Sequence, residues 1–300
     1  MDPIAPVFAG APSPTALAAA LIRAYHQVGD DPLVFSDPLA VPVAGVGPEL
    51  LRMLGGDDPA RRQRRLFLAV RHRVAEDVFL SSNAAQALIL GAGLDTFGYR
   101  HPTAAARVFE VDLPAVLDWK RERLAAAAVS VPECVRFVAT DLEQRTLAAD
   151  LAAAGFDPAL PTCVSWLGGT MYATEDTVAA VLNVVGALTG PTRLVLDYVQ
   201  SARVSPARHD GARRVHLELS AALGEPWITQ YEPDHFAAVL RNAGLTPSAD
   251  ESPAEALTPY LPRPEPTGPD PDVTRRLVQA TADRTPRPWF APARATPGVA

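Results

Sequence analysis

The sequence contains little that would support a disulfide framework or a metal site. Only two cysteines, Cys134 and Cys163, occur among 300 residues. Two thiols are too few for a stapled secreted fold or a zinc site, and they are typical of a reducing compartment. The six histidines form no group with metal-ligand spacing and no Ser/His/Asp arrangement. We therefore predict no metal, and the sequence identifies no catalytic histidine.

Long apolar runs and an excess of positive charge are also absent. No run approaches the ~18 apolar residues that a membrane span requires. The net charge is −7, which argues against nucleic-acid binding, because binding to phosphates is driven by an excess of lysine and arginine. These features predict a cytoplasmic protein without a membrane or nucleic-acid partner, and they leave the oligomeric state open.

Apolar segments and helical patterns alternate along the chain. Short apolar runs predict strands at about 87–90, 107–111, 135–139, 163–166 and 193–199. Amphipathic helices are predicted between and after them, at 114–128, 174–188 and 234–243. This alternation is typical of an α/β domain with a doubly wound, mostly parallel sheet. Residues 1–80 show helices but no convincing strand, which predicts a helical cap beside the sheet.

The most informative segment is the strand at 87–90 followed by Gly91-Ala92-Gly93. A buried strand followed by a turn too tight for side chains brings backbone close to a nucleotide-like ligand. Asp112 ends the next strand, where a carboxylate can accept hydrogen bonds from both hydroxyls of a ribose. A dinucleotide site would have a third glycine at Thr96, and Asp95 places negative charge where a pyrophosphate would lie.

These features favour a ligand that lacks phosphate. S-adenosylmethionine has a ribose, an adenine, a sulfonium and an amino-acid tail. Asp141 ends a third strand and can accept a hydrogen bond from the exocyclic amine of an adenine. The alternative is that Asp112 and Asp141 merely cap the segments that follow them.

An arginine in the preceding helix is a candidate partner for the carboxylate of such a ligand. Arg71 lies close to the apolar seam of the helix at 59–80, whereas Arg73 projects from another face. A charge that faces the core is costly unless it is paired, so Arg71 is expected to meet a carboxylate. That carboxylate belongs either to the ligand or to the protein. The helix's other arginines, such as Arg65, are expected to form a solvated face.

Several motifs together resemble the leucine carboxyl methyltransferase family. More closely, the chain is similar to the branch of S-adenosylmethionine-dependent methyltransferases that is abundant in actinobacteria. The resemblance extends from about Thr15 to Arg284 and is carried by Arg71, Gly91-Ala92-Gly93-Leu94-Asp95-Thr96, Tyr99-Arg100, Phe109-Glu110-Val111-Asp112-Leu113-Pro114, Phe35-Ser36-Asp37-Pro38-Leu39-Ala40 and Gly224-Glu225-Pro226-Trp227. It implies a class I methyltransferase fold with a Rossmann-like, mostly parallel seven-stranded sheet.

The resemblance also implies a division of the chain and a role for each site residue. Residues 1–80 would form the helical cap, residues 81–284 the cofactor-binding domain with a lid insertion at 200–235, and residues 285–300 a proline-rich tail. The implied cofactor is S-adenosyl-L-methionine, and Arg23 is a second candidate for its carboxylate. The implied binding residues are Arg71 for the carboxylate, Gly91, Ala92 and Gly93 for the methionine moiety, Asp112 and Leu113 for the ribose, and Asp141 and Leu142 for the adenine.

One departure from the family pattern bears on the substrate. Family members often carry Ala-Glu-Gly after the fourth strand, but Leu167 stands here in place of the glutamate. Trp166, Met171 and Tyr172 are candidates for the methyl-acceptor pocket, with ordinary core packing as the alternative. We expect an O-methyltransferase that acts on a carboxylate or hydroxyl of a small molecule, such as a secondary metabolite. The alternatives are methylation of a protein C-terminal carboxylate and a cofactor-binding protein that transfers no methyl group.

Overall fold

A computed structural model describes residues 11–55, 59–102, 107–201, 203, 214, 217–218, 220–262 and 274–282. The described residues before the first strand form helices, with bounds α1 Pro14–Gly29, α2 Ala40–Ala44, α3 Pro48–Gly55 and α4 Pro59–Ser81. The tail predicted at 285–300 lies outside the described residues, as does part of the lid predicted at 200–235. The division into domains remains a prediction.

A seven-stranded sheet forms the centre of the molecule. Its strands are β1 Gln86–Leu90, β2 Arg107–Asp112, β3 Val135–Ala139, β4 Thr162–Trp166, β5 Thr192–Val199, β6 Leu245–Glu251 and β7 Arg275–Ala282. They lie in the order β3-β2-β1-β4-β5-β7-β6. The pairs among the first five strands are parallel, and β7 pairs antiparallel with both β5 and β6.

Further helices connect the strands. Their bounds are α5 Phe97–Arg100, α6 Pro114–Ala126, α7 Leu147–Ala153, α8 Glu175–Gly186, α9 Pro233–Asn242 and α10 Pro253–Leu257. The expected doubly wound α/β sheet is confirmed, and its first five strands fall where the apolar runs predict them. Strands β6 and β7 are additions that the hydrophobic pattern did not reveal.

Both faces of the sheet are covered, which explains the nearly continuous apolar runs of its strands. Along β1, Leu88 and Leu90 pack into the core that contains α8, whereas Ala87 and Ile89 pack into the core formed with α1. Side chains alternate across a strand, so one short run serves both layers. Helix α1 is thereby fixed against the strand that leads into the glycine turn.

One buried ion pair joins β2 to the helix that follows it. Glu110 on β2 and Lys120 on α6 are 2.7 Å apart, and neither side chain is exposed. The Tyr99 hydroxyl donates to the Glu110 carboxylate at 2.8 Å. Burial raises the pKa of Glu110, while the Lys120 charge opposes that rise. The pair ties α6 to the strand that carries Asp112.

Candidate cofactor and acceptor site

The glycine turn after β1 has a left-handed backbone. Gly91 and Gly93 have φ values of 62° and 44°, which side chains other than glycine rarely adopt. The amide of Ala92 donates to the Val111 carbonyl at 3.0 Å. The amide of Gly93 donates to Asp112 Oδ2 at 2.7 Å. The turn is thus attached to the end of β2 at two points.

One carboxylate oxygen of Asp112 accepts a hydrogen bond from this turn, and the other accepts one from the next residue in the chain. Its Oδ1 accepts a hydrogen bond from the Leu113 amide at 2.8 Å. Burial raises the pKa of Asp112 above its usual range, against the two amides, which act to lower it. A carboxylate offers about four acceptor positions. Two protein donors therefore leave it the capacity to accept both hydroxyls of a ribose.

Asp141 also lies at the carboxyl edge, in the loop after β3. Its Oδ1 accepts from the Glu143 amide at 3.0 Å and caps the short 3₁₀ turn Leu142–Gln144. Asp141 thus caps the segment that follows it, as the alternative interpretation of this residue predicts, with one of its oxygens. The Thr140 amide donates to the Asp112 carbonyl at 2.9 Å, which places the ends of β2 and β3 side by side.

A cavity of about 600 Å³ joins these strand ends. It is lined by all of the residues predicted for the cofactor and the acceptor, which are Arg71, Gly91, Ala92, Gly93, Asp112, Leu113, Asp141, Leu142, Trp166, Met171 and Tyr172. Residues from helix α1, helix α4 and the segment before α9 complete the walls. The roles assigned to the lining residues remain predictions.

Arg71 reaches the cavity from α4 and is almost fully buried. Its Nη1 donates to Asp197 Oδ2 at 2.9 Å, and Asp197 also accepts from the Gly168 amide. Burial lowers the pKa of Arg71, and the Asp197 charge opposes that effect. Its Nε finds no hydrogen-bond partner within the described part of the chain. Arg71 therefore has a protein carboxylate on one edge and retains a donor for another anion.

The other arginines of α4 behave differently from one another. Arg73 is exposed and pairs with Asp77 at 2.9 Å. Arg65, in contrast, is buried and pairs with Asp30 at 3.0 Å, so the prediction that it lies on a solvated face is wrong. The reason is that the fully buried Asp30 carboxylate follows α1 and draws Arg65 inward. Arg64 lines the cavity.

Arg23, the second candidate for the cofactor carboxylate, also lines the cavity. Its Nη2 donates to the Leu94 carbonyl at 2.5 Å, and its Nε lies 3.0 Å from the buried Asp37 carboxylate. These contacts attach α1 to the residue that follows the glycine turn. Arg23 is thus engaged in holding the turn as well as lining the cavity.

The acceptor candidates differ in how much they contribute to the core. Trp166 is 1% exposed and packs within the central apolar cluster, as the core-packing alternative states. Met171 packs with Val199 and Trp227, with Tyr172 at the margin of the same cluster. Trp227 Nε1 donates to the Tyr172 hydroxyl at 3.2 Å. Met171, Tyr172 and Trp227 thus form an apolar and aromatic wall of the cavity.

Comparison with known proteins identifies the family of this chain. The model of the family described as leucine carboxyl methyltransferase matches residues 16–186. The chain belongs to the leucine carboxyl methyltransferase family. The expectation of a methyltransferase is confirmed with it.

Two mycobacterial relatives share one name. The chain is 35% identical over 227 residues to a Mycobacterium marinum protein named "Putative S-adenosyl-L-methionine-dependent methyltransferase", and the match covers 69% of each chain. It is 32% identical over 286 residues to a Mycobacterium sp. (strain KMS) protein of the same name, with 90% and 94% covered. The expected cofactor, S-adenosylmethionine, is confirmed for this family member.

A solved structure supports the fold. A DUF574 family protein from Streptomyces avermitilis aligns with a TM-score of 0.57 at 17% identity, covering 88% of this chain and 97% of that one. The expectation of a class I methyltransferase fold is confirmed. At this identity the likeness concerns the fold alone.

Sequence reasoning missed Asp197, which pairs with Arg71, and several residues that line the cavity of this family member. Asp197 could have been noticed as an acid near the end of the apolar strand β5, in the way that Asp112 was noticed in β2. Arg275 begins β7, a strand that the pattern did not predict, so no signal pointed to it. Glu225 was noted only as part of a motif that carried the resemblance.

A histidine and an aspartate form a further pair that sequence reasoning did not predict. His72 Nδ1 lies 3.1 Å from Asp95 Oδ2, and both residues line the cavity. Asp95 Oδ1 also accepts from the Phe97 amide at 2.7 Å. The pKa of Asp95 lies far below its usual value, because His72 and nearby cations overcome the effect of burial. Burial lowers the pKa of His72, and its contact with Asp95 opposes that effect.

Proposed function

We propose that this protein is an O-methyltransferase that transfers a methyl group from S-adenosylmethionine to a carboxylate or hydroxyl oxygen of a small molecule. The observation that carries the proposal is the single cavity in which the glycine turn, Asp112 and Asp141 face the same space as the wall formed by Met171 and Trp227. A donor and an acceptor bound there would be neighbours.

The residues on the donor side fit the cofactor. The positive φ values of the glycine turn leave its backbone open to a ligand. Among the described residues, Arg71 Nε has no hydrogen-bond partner, which suits it to the cofactor carboxylate, and Asp112 retains acceptor capacity for the ribose. Asp141 and Leu142 are the proposed partners of the adenine and line the same cavity. When bound, S-adenosylmethionine supplies a methyl group that is already activated by its sulfonium.

The chain's own contribution is to position the acceptor and exclude water. Holding an acceptor oxygen in line with the methyl carbon converts an encounter into a unimolecular step. The buried Met171 and Trp227 keep this end of the cavity apolar. A carboxylate acceptor needs no general base, whereas a hydroxyl would benefit from one.

An arginine on the cavity wall supports a carboxylate as the acceptor. Arg275 is 5% exposed and lines the cavity. Its guanidinium lies 5.2 Å from the centre of the Trp227 ring and 5.8 Å from that of Phe67. A planar cation packed against aromatic rings is pre-organised to bind a carboxylate. We expect Arg275→Gln to raise the KM of the acceptor while leaving cofactor affinity within about twofold.

Transfer of a radiolabelled methyl group tests the proposal. The purified protein would be incubated with methyl-labelled S-adenosylmethionine and panels of small carboxylic acids, small phenols and alcohols, and peptides with a free C-terminus. A carboxyl methyl ester releases volatile label in alkali, whereas a methyl ether does not. Label in small molecules is the expected result. Label only in peptides would favour the protein-carboxylate alternative, and cofactor binding without transfer to any class would favour the binding-protein alternative.

Cellular context is part of the same proposal. A cytoplasmic location is supported by the free thiols of Cys134 and Cys163. Among the described residues, no helix combines the length and apolarity needed to cross a bilayer. We propose a secondary metabolite as the acceptor, and products of a gene disruption compared by mass spectrometry would test that assignment.

A further inference from the structure

Glu225 joins the segment before α9 to the first turn of helix α1. Its Oε1 accepts from the Ser13 hydroxyl at 2.8 Å, and its Oε2 accepts from the Thr15 amide at 2.7 Å. Helix α1 has no acidic residue in its own first turn. The positive end of a helix dipole favours an anion. Glu225 supplies the negative charge that the first turn of α1 lacks, although it lies 210 residues from Thr15 in the sequence.

The residues after Glu225 are attached on the opposite side of the cavity. The Ile228 amide donates to the Met171 carbonyl at 2.8 Å. The Thr229 hydroxyl donates to the Ala173 carbonyl at 2.5 Å. Residues 225–229, which we name the strap, therefore extend from the turn after β4 to the start of α1.

The strap borders the compartment assigned to the cofactor. Helix α1 lies directly over the glycine turn, because a Cβ placed on Gly93 would be 3.5 Å from the Ala16 Cβ. Ser13, Thr15 and Glu225 line the same cavity as Asp112. The Glu225 charge contributes to the raised pKa of Asp112, which agrees with their closeness. The strap and α1 thus meet above the predicted ribose position.

We propose that Glu225 is a positioning residue that latches the strap to helix α1, and that this latch must open for the cofactor to enter and leave. The inference rests on the proposed function, since it assumes that the cofactor binds at the glycine turn. The latch consists of two hydrogen bonds to a carboxylate, so it can open without disturbing the sheet. Both walls of the cofactor compartment would then separate at a single side-chain contact.

Rates of cofactor exchange distinguish a latch from a merely structural contact. For Glu225→Ala we expect the association and dissociation rates of S-adenosylhomocysteine to rise together by roughly tenfold or more, as loss of hydrogen bonds to a charged group implies. The equilibrium Kd should stay within about threefold. Ser13→Ala, which removes one of the two bonds, should show a smaller change in the same direction. Glu218 is an exposed acid before the strap, so Glu218→Ala is the matched control and should leave both rates unchanged.

A reversible cross-link provides a second, independent readout. In a Cys134→Ser background, Ser13→Cys and Glu225→Cys would be joined by a short bis-methanethiosulfonate reagent. We expect exchange of S-adenosylhomocysteine to stop in the cross-linked protein and to recover when reductant removes the linker. This experiment and Ser13→Ala decide the question if Glu225→Ala does not fold.

Each remaining outcome counts against the latch. Unchanged rates in Glu225→Ala, exchange that continues in the cross-linked protein, or a weakened Kd with an unchanged association rate would overturn it. These results require that the wild-type protein binds S-adenosylhomocysteine. If the wild type binds neither this ligand nor S-adenosylmethionine, the proposed function fails and the latch fails with it.

Discussion

Replacing Asp112 with alanine should weaken binding of S-adenosylmethionine by roughly 100- to 10,000-fold. The estimate begins with the two ribose hydroxyls that the Asp112 carboxylate is expected to accept. A hydrogen bond to a charged group contributes about 1.5–3 kcal/mol, so two contribute about 3–6 kcal/mol. Each 1.4 kcal/mol corresponds to about tenfold in affinity.

The protein contacts of Asp112 add a stability cost that must be measured separately. Asp112 accepts from the amides of Gly93 and Leu113 at 2.7 and 2.8 Å. In Asp112→Asn, one oxygen becomes an NH₂ group, which cannot accept from an amide. We expect a loss of about 1–3 kcal/mol in the free energy of unfolding for the unsatisfied donor, measured by urea denaturation.

Isothermal titration with S-adenosylmethionine and S-adenosylhomocysteine is the assay for affinity. Asp118→Ala is the control, because Asp118 is an exposed acid on the helix that follows Asp112. It should bind both ligands as the wild type does. If a folded Asp112→Ala protein keeps its affinity within about threefold, the ribose does not lie at Asp112 and the assignment of the strand end is wrong.

Three further outcomes follow from the charges of the site and core. Arg71→Ala should weaken cofactor binding at least tenfold, as loss of a hydrogen bond to a charged group implies. Arg73→Ala should change the affinity less than twofold. Equal effects in titrations would refute the assignment of Arg71, rather than Arg73, to the cofactor. Because burial raises the pKa of Asp112 and its ionised form accepts the ribose, cofactor affinity should fall as pH decreases through that raised pKa, and calorimetry that shows a flat profile would contradict this. Glu110→Gln leaves Lys120 without its counter-charge and should destabilise the fold by about 3–5 kcal/mol. Adding Lys120→Met should recover part of that loss in urea denaturation, and no recovery would refute the pairing.

The hydrophobic pattern predicted the parallel core of the sheet because those strands are buried on both faces. Strand β6 escaped it because most of its residues are only partly buried or exposed, and its pairing with β7 shifts register after Pro247. Strand β7 is interrupted by the polar residues Arg276, Gln279 and Thr281 and follows a proline-rich segment. Neither strand therefore presents the continuous apolar run that identified β1 to β5.

The site was predictable where its residues lie at the ends of two strands that follow one another closely in the sequence. The glycine turn and Asp112 lie at such ends, and the sequence placed them together. Glu225 and Ser13 meet only in three dimensions, across 212 residues, and no periodicity encodes that meeting. Arg65 was predicted wrongly for the same reason, because its burial depends on Asp30, which lies outside its own helix.

Titration of the wild-type protein with S-adenosylhomocysteine tests the central claim most directly. The account predicts saturable binding of one ligand per chain, loss of that binding in Asp112→Ala and retention in Asp118→Ala. Absence of binding by the wild type, for S-adenosylmethionine as well as its demethylated product, would contradict the assignment of the cavity as a methyl-donor site.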